Sequence, residues 1–402
     1  MTARETFSRG VAVVGAGPVG LVLALCLGRQ GIRCTVLESA AVAPPELRAS
    51  TFHPPTLDLL ERLELTAPLM AVGLCARTWQ VRWHETHEAA VFDLGLLADD
   101  TRHPYRLQCP QDELVRLAER QAAELPGVQI LRGSRVLSMV QTDDGVRVGF
   151  EQAGQAAWLE ADLLVGADGA RSTVRSAVTE VFDGETYPET TLLATTRCPF
   201  EQFLPRLSPV NYLWWAEGTF SLLALPGLWR ANFHLPPGTD LDAAARPEAI
   251  QALLERLVPG SGAYPVEQCR QYRIHRRIVD RYRRGRIVLA GDAAHLNSPA
   301  GGMGMNGGLH DAFELAATLT EIRDGASLDL LDRYARRRLP IARDDILRQA
   351  DSNRARMQAR DPVARRAALT ALQETAADPH RAREHLLRTS MILGLRAAAA
   401  IA

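Results

Sequence analysis

At 402 residues, with 47% hydrophobic and 23% charged residues, the chain has the composition of an ordinary globular protein and is too long for a single hydrophobic core. Its formal net charge of -1 gives no general pull toward nucleic acid or an anionic membrane. All 46 basic residues are Arg, so lysine Schiff-base chemistry and a lysine-bearing phosphate loop are excluded, and guanidinium groups must do the basic work.

Residues 11 to 38, "VAVVGAGPVGLVLALCLGRQGIRCTVLE", read as strand, glycine-rich turn, helix and strand. Gly15, Gly17 and Gly20 form G-x-G-x-x-G between strand and helix, and Glu38 ends the second strand. Such glycines permit a tight turn and close approach of a pyrophosphate to the helix N-terminus, while the acid can accept from ribose hydroxyls. The apolar run is fold and not a secretion leader, because a strand pattern resumes and no small-residue cleavage site follows it. The six cysteines, Cys26, Cys34, Cys75, Cys109, Cys198 and Cys269, form no C-x-x-C pair and no metal-ligand cluster, which predicts reduced thiols, a cytoplasmic setting and no metal.

The segment "RASTFHPPTLDLLERLEL" places Arg48 before a turn and a helix. Next, "CPQDELVRLAERQAAEL" predicts a helix that opens at Gln111 and buries Leu114, Leu117 and Leu125. Four strands follow at "GVQILRG", "RVLSMVQT", "GVRVGFE" and "AWLEADLLVGADG", spaced as an antiparallel flap on a parallel sheet. From about 185 to 285 aromatic strands and Pro-Gly turns, with one helix near 246 to 257, predict a second, mostly antiparallel sheet. The earlier "RTWQVRWHETHEAAVFDL" has the same texture and is expected to pair with it. Along "WRANFH", alternation puts Trp229, Ala231 and Phe233 on a core face; Arg230, Asn232 and His234 on the other face line a cavity or meet solvent.

Then "IVLAGDAAHLNSPAGGMGMNGGLHDAFELAATL" carries an acid, Asp292, at a strand tip and five glycines between Gly301 and Gly308 before a helix. A loop stripped of side chains lets backbone N–H groups approach a large polar ligand, with the helix N-terminus adding favourable potential for negative charge. His295 reads as structural, since no partner acid is visible. The chain continues as helices to its end; the tail "MILGLRAAAAIA" is too short to span a bilayer.

With G-x-G-x-x-G at 15 to 20, "VGADGARSTVR" at 165 to 175 and "GDAAHLNSPAGGMGMN" at 291 to 306, the sequence resembles the single-component flavoprotein aromatic hydroxylases, the family of para-hydroxybenzoate hydroxylase, from residue 11 to about 340. The resemblance implies an α/β fold with a Rossmann-like FAD-binding domain (1–75, 108–184 and 280–345), a substrate-binding β-sheet domain (76–107 and 185–279) and a C-terminal helical segment (346–402). It implies FAD as cofactor, NADH or NADPH as reductant, and oxygen transfer through a flavin hydroperoxide to a small aromatic or heteroaromatic phenol.

Carried over onto this sequence, the pattern places Glu38 on the adenosine ribose, Arg48 and Gln111 near the pyrophosphate and ribityl chain, and Asp292 on the ribityl hydroxyls. Asp168 falls where flavin and nicotinamide meet, and the backbone of Gly301, Gly302, Gly304, Met305 and Asn306 lines the isoalloxazine. Pro299 would face the reacting ring with its carbonyl, and Arg230 would reach toward the flavin. Arg171 and Arg175, one turn apart, either contact nicotinamide phosphates or are exposed helix residues. Tyr212, Trp214 and Trp215 either wall an aromatic pocket or form sheet core. The absence of Lys counts against flavin halogenases of the same fold. A reductase of the same fold and an aromatic-ligand binder without turnover are the alternatives. The C-terminal helices are expected to cap the flavin domain or to pair with a second copy as a homodimer.

Overall fold

The computed structural model describes residues 7–42, 49–216, 218–236, 238–260, 262, 264–359 and 361–402. Its first layer is a six-stranded sheet in the order Arg283–Arg284, Ile287–Leu289, Leu163–Gly166, Val11–Val14, Cys34–Glu38, Val128–Arg132. Only the first pair runs antiparallel. Every residue of Val11–Val14 is buried, which explains an apolar run without alternation: both faces of this central strand are covered, by helices on one side and by the three-stranded flap on the other. Helix Pro18–Arg29 leaves the central strand through the glycine turn and packs on helix Met303–Arg323. Strands Ser134–Gln141, Val146–Gln152 and Gln155–Ala161 form the expected antiparallel flap.

The second layer is an eight-stranded sheet: His295–Leu296, Val266–Ile278, Asp183–Thr196, Leu228–Leu235, Gly218–Leu225, Val210–Trp215, Thr78–Trp83, Ala89–Asp93. The early segment does join it, and its strand Thr78–Trp83 runs parallel to Val210–Trp215. One face, with Trp229, Ala231 and Phe233, packs under helix Pro247–Leu257. A separate core holds Trp79, Phe92 and Trp214 against Leu369, Leu386 and Ile392.

Those last three residues belong to helices Pro362–Ala377, Pro379–Thr389 and Ile392–Ala399. The C-terminal helices thus close the large sheet, and helix Ile392–Ala399 also packs on helix Leu331–Ile341 beside helix Met303–Arg323 of the first layer. A small sheet of Thr51–Phe52, Arg106–Gln108 and Leu74–Ala76 lies between the layers. Among the described residues no helix is long and apolar enough to cross a membrane.

Leu386 is fully buried in this last core, whereas Val363 on the neighbouring helix is 76% exposed. Leu386→Ala is expected to lower unfolding free energy by about 2–5 kcal/mol and Val363→Ala by no more than about 0.5 kcal/mol. Urea denaturation measures both, and equal midpoints for the two variants would contradict the packing described.

Candidate active site

The glycine turn is built for a ligand at one position and for packing at two. Gly15, at φ +106, lies so close to Ala167 that a Cβ would strike its carbonyl, and a Cβ on Gly20 would strike the carbonyl of Gly15. A Cβ on Gly17 would meet nothing within 4 Å, so the side of the turn facing the helix N-terminus is open. The Glu38 carboxylate braces the same turn, accepting from Ala16 N–H at 2.8 Å and from Ala40 N–H at 2.8 Å.

Against this turn stands the Gly-Asp segment. Gly291, at φ +63, packs on Val19 of the first helix and on Gly308 of the long helix. Asp292 follows it, exposed, in the short turn Gly291–Ala293. The long helix begins at Met303 after Gly301 and Gly302, which adopt φ +99 and +70; a Cβ on Gly302 would press on Thr51 at 3.0 Å, and one on Gly304 on Asn297 Oδ1 at 3.0 Å. The N-termini of two helices and an acid at a strand end thus come together, as a dinucleotide carrying a flat ring requires.

Two residues that sequence reading missed hold these pieces in place. Asp311 is fully buried: one oxygen accepts from Gly291 N–H at 3.0 Å and faces His295 Nε2 at 2.9 Å, the other accepts from Arg338 Nε at 2.6 Å. Arg338 Nη2 also donates to the Gly307 carbonyl at 3.3 Å. Burial pushes the Asp311 carboxyl up, but Arg338 and then His295 outweigh this and bring it down to about 2. His295 is structural, as expected, yet its partner acid exists sixteen residues on. A polar pair inside otherwise apolar helix faces was the available signal.

Other side chains of the expected site also serve the fold. The Asn306 side chain is spent inside the protein: Oδ1 accepts from His53 N–H at 2.9 Å, and Nδ2 donates to the carbonyls of Thr51 and Gly302 at 2.8 and 2.7 Å. Asp168 caps its own turn, accepting from Ser172 Oγ at 2.5 Å and from the N–H groups of Thr173 and Val174. Pro299 is exposed and its carbonyl accepts from Gly302 N–H at 3.0 Å, so it shapes the glycine loop. Arg175 donates to the carbonyls of Ala293 and Ala170 and lies over the Phe182 ring, while Arg171, just before the four-residue helix Arg175–Val178, is exposed. Trp214 and Trp215 belong to two different cores on opposite faces of their strand and wall no common pocket.

Arg230 is 4% exposed and reaches from the large sheet to Ser50 Oγ at 2.9 Å; burial lowers its pKa to about 10, with Tyr272 opposing. The polar face of its strand is thus buried against the other layer, not solvated. Gln111 opens helix Gln111–Ala123, its N–H bonded to the Ala49 carbonyl at 3.0 Å. Arg48 lies outside the described residues.

Near the glycine loop several buried side-chain atoms find no partner among the described residues: His53 Nδ1, Gln108 Nε2, Trp79 Nε1, His385 Nε2, and Nε and Nη1 of Arg106. Each unanswered buried polar group costs roughly 1–3 kcal/mol, a cost that a bound ligand would offset.

A Rossmann-type turn with a second helix N-terminus and an acid beside it defines a dinucleotide-binding class of protein. The FAD binding domain family profile matches residues 9–349, and the chain belongs to that family. It is 34% identical over 395 residues to para-nitrophenol 4-monooxygenase of a Pseudomonas species, covering 96% of each chain. It is also 34% identical over 328 residues to 6-hydroxy-3-succinoylpyridine 3-monooxygenase of Pseudomonas putida, covering 81% of this chain and 82% of that one. The crystal structure of p-nitrophenol 4-monooxygenase from Pseudomonas putida superposes with a TM-score of 0.89 at 32% identity, over 96% of this chain and 98% of that one.

Gly17→Val should leave the flavin-free fold within about 0.5 kcal/mol of the parent, because the space is open and φ is ordinary, while weakening FAD binding at least about tenfold. Flavin fluorescence titration reads the second effect; unchanged affinity would remove the pyrophosphate from this turn. Asp311→Asn leaves Arg338 buried without its counter-charge and is expected to cost about 3–5 kcal/mol at neutral pH. Because folding lowers the Asp311 pKa from about 4, its stabilisation is present above that pH and is lost as pH falls toward about 2. Urea midpoints across that range should converge for parent and variant at the acid end.

Proposed function

We propose that the chain is an FAD-dependent monooxygenase that consumes NADH or NADPH and molecular oxygen and hydroxylates a small phenol-type aromatic or heteroaromatic substrate. The convergence of the open face at Gly17, the Gly291-Asp292 corner and the glycine-loop helix N-terminus below a buried polar wall carries this reading. The named activities of its relatives support it.

Gly15, Gly17 and Gly20 with Glu38 would take the adenosine and pyrophosphate, joined by Arg48 and Gln111. Asp292 would take the ribityl hydroxyls, and Gly301, Gly302, Gly304 and Met305 would lie against the ring. Bound FAD would supply the redox chemistry, accepting a hydride and then reacting with dioxygen. The protein's own part is to hold negative charge against the helix N-terminus at Gly302, to orient the substrate from the sheet, and to exclude water with the C-terminal helices. Exposed Arg171 is the remaining candidate for nicotinamide phosphates. The discontinuous division into flavin and substrate units, a cytoplasmic setting with reduced thiols, and a homodimer belong to the same proposal.

Protein loaded with FAD should oxidise NAD(P)H faster when a matching phenol is added, take up oxygen, and yield a product carrying one atom of labelled dioxygen. Reduction of the substrate without oxygen uptake would convert the reading to a reductase. Tight aromatic binding without faster nicotinamide oxidation would convert it to a binding protein.

A further inference from the structure

Arg106 opens the middle strand of the small sheet and is 3% exposed, yet its Nε and Nη1 have no acceptor among the described residues. Its guanidinium carbon lies 5.2 Å from the Trp79 ring centroid, and the Tyr212 phenol is its hydrogen-bonding neighbour. His53 lies beside the same guanidinium, kept neutral by burial and then by Arg106, and its Nε2 meets the Gly301 carbonyl at 2.8 Å. From the C-terminal helices come His385, stacked 5.8 Å from Trp79 with Nε2 unanswered, and Arg356, which neighbours both Tyr212 and His385.

Two guanidinium groups, two imidazoles, a phenol and an indole therefore converge from the small sheet, the large sheet and the C-terminal helices. Among the described residues no carboxylate forms an ion pair with Arg106 or Arg356. Guanidinium groups do not shed their protons, so their burial without a counter-charge is a standing demand for an anion. The demand sits one imidazole away from the glycine loop that would hold the flavin ring.

We propose that this cluster recognises a ring-bound oxyanion on the substrate, with Arg106 as the specificity-determining residue, so that the enzyme takes aromatic rings bearing a phenolate or carboxylate oxygen in preference to neutral ones. This rests on the aromatic-hydroxylase reading of the same site. Arg106 donates to the oxyanion through the two nitrogens the protein leaves unanswered, and Tyr212 fixes the guanidinium from the sheet side. His385 ties the C-terminal helices to the wall of the same cluster.

The test uses FAD-loaded protein and reads ligand binding by perturbation of the flavin absorbance, independently of turnover. The paired probes are 4-hydroxybenzoate against 4-hydroxybenzamide, for a carboxylate, and 4-nitrophenol above its ionisation pH against 4-nitroanisole, for a phenolate. One anion of the two should bind about thirtyfold or more tighter than its neutral partner, and which pair shows the preference identifies the oxyanion. Arg106→Met should bring that ratio close to one while changing affinity for the neutral member little. Tyr212→Phe, which keeps the guanidinium, should reduce the ratio severalfold.

If Arg106→Met loses FAD, the ratio in the parent and in Tyr212→Phe still decides. Equal binding of charged and neutral members in the parent overturns the proposal, even if neutral phenols are hydroxylated. Selective anion binding without any oxygenated product upholds the recognition site and defeats the hydroxylase reading instead.

Discussion

One buried carboxylate sets the geometry of both glycine segments. Asp311 bonds the backbone at Gly291 and faces His295, while Arg338, paired with it, reaches the carbonyl at Gly307. The corner that presents Asp292 and the second turn of the long helix are thus fastened to the same pair of charges. Charges so deep are a poor source of net stability, since desolvation offsets much of their attraction. Their value is in position: they tie the Gly-Asp corner and the long helix to one point, beside the bonds that the Asn306 side chain makes to His53 and Thr51.

A different balance holds a short distance away. Arg106 and Gln108 keep donors that no described residue answers, in a protein that gives the Asn306 side chain three bonds. Satisfying Arg106 with an acid would be a small change in sequence. The chain instead keeps the cost, which is what local rules look like where a binding site overrides folding.

The sequence was most legible where spacing alone dictates structure. The G-x-G-x-x-G turn, the flap and the aromatic sheet could be read because glycine freedom, period-two alternation and turn residues act locally. Roles that depend on which distant atoms meet were not legible. Asn306 and Asp168 sit in the right motifs, yet their side chains serve the protein's own backbone. Trp214 and Trp215 are adjacent in sequence but point to opposite faces, a consequence of the pleat that a cluster reading overlooks. Arg106 and Gln108 flank Leu107 in a three-residue strand too short to show a period, and Asp311 and Arg338 are 27 residues apart on separate helices.

The way the large sheet is closed bears on how the protein is made. Strand Thr78–Trp83 pairs in parallel with Val210–Trp215, and the core around Trp79 and Phe92 is completed only by Leu369, Leu386 and Ile392. During synthesis, aromatic surface made early must wait for nearly three hundred further residues before it is covered. Contacts of such sequence separation form slowly and leave the intermediate prone to association. The aromatic face of the large sheet therefore stays uncovered while the intervening chain, including strand Ile287–Leu289 and helix Met303–Arg323 of the first layer, is still being made.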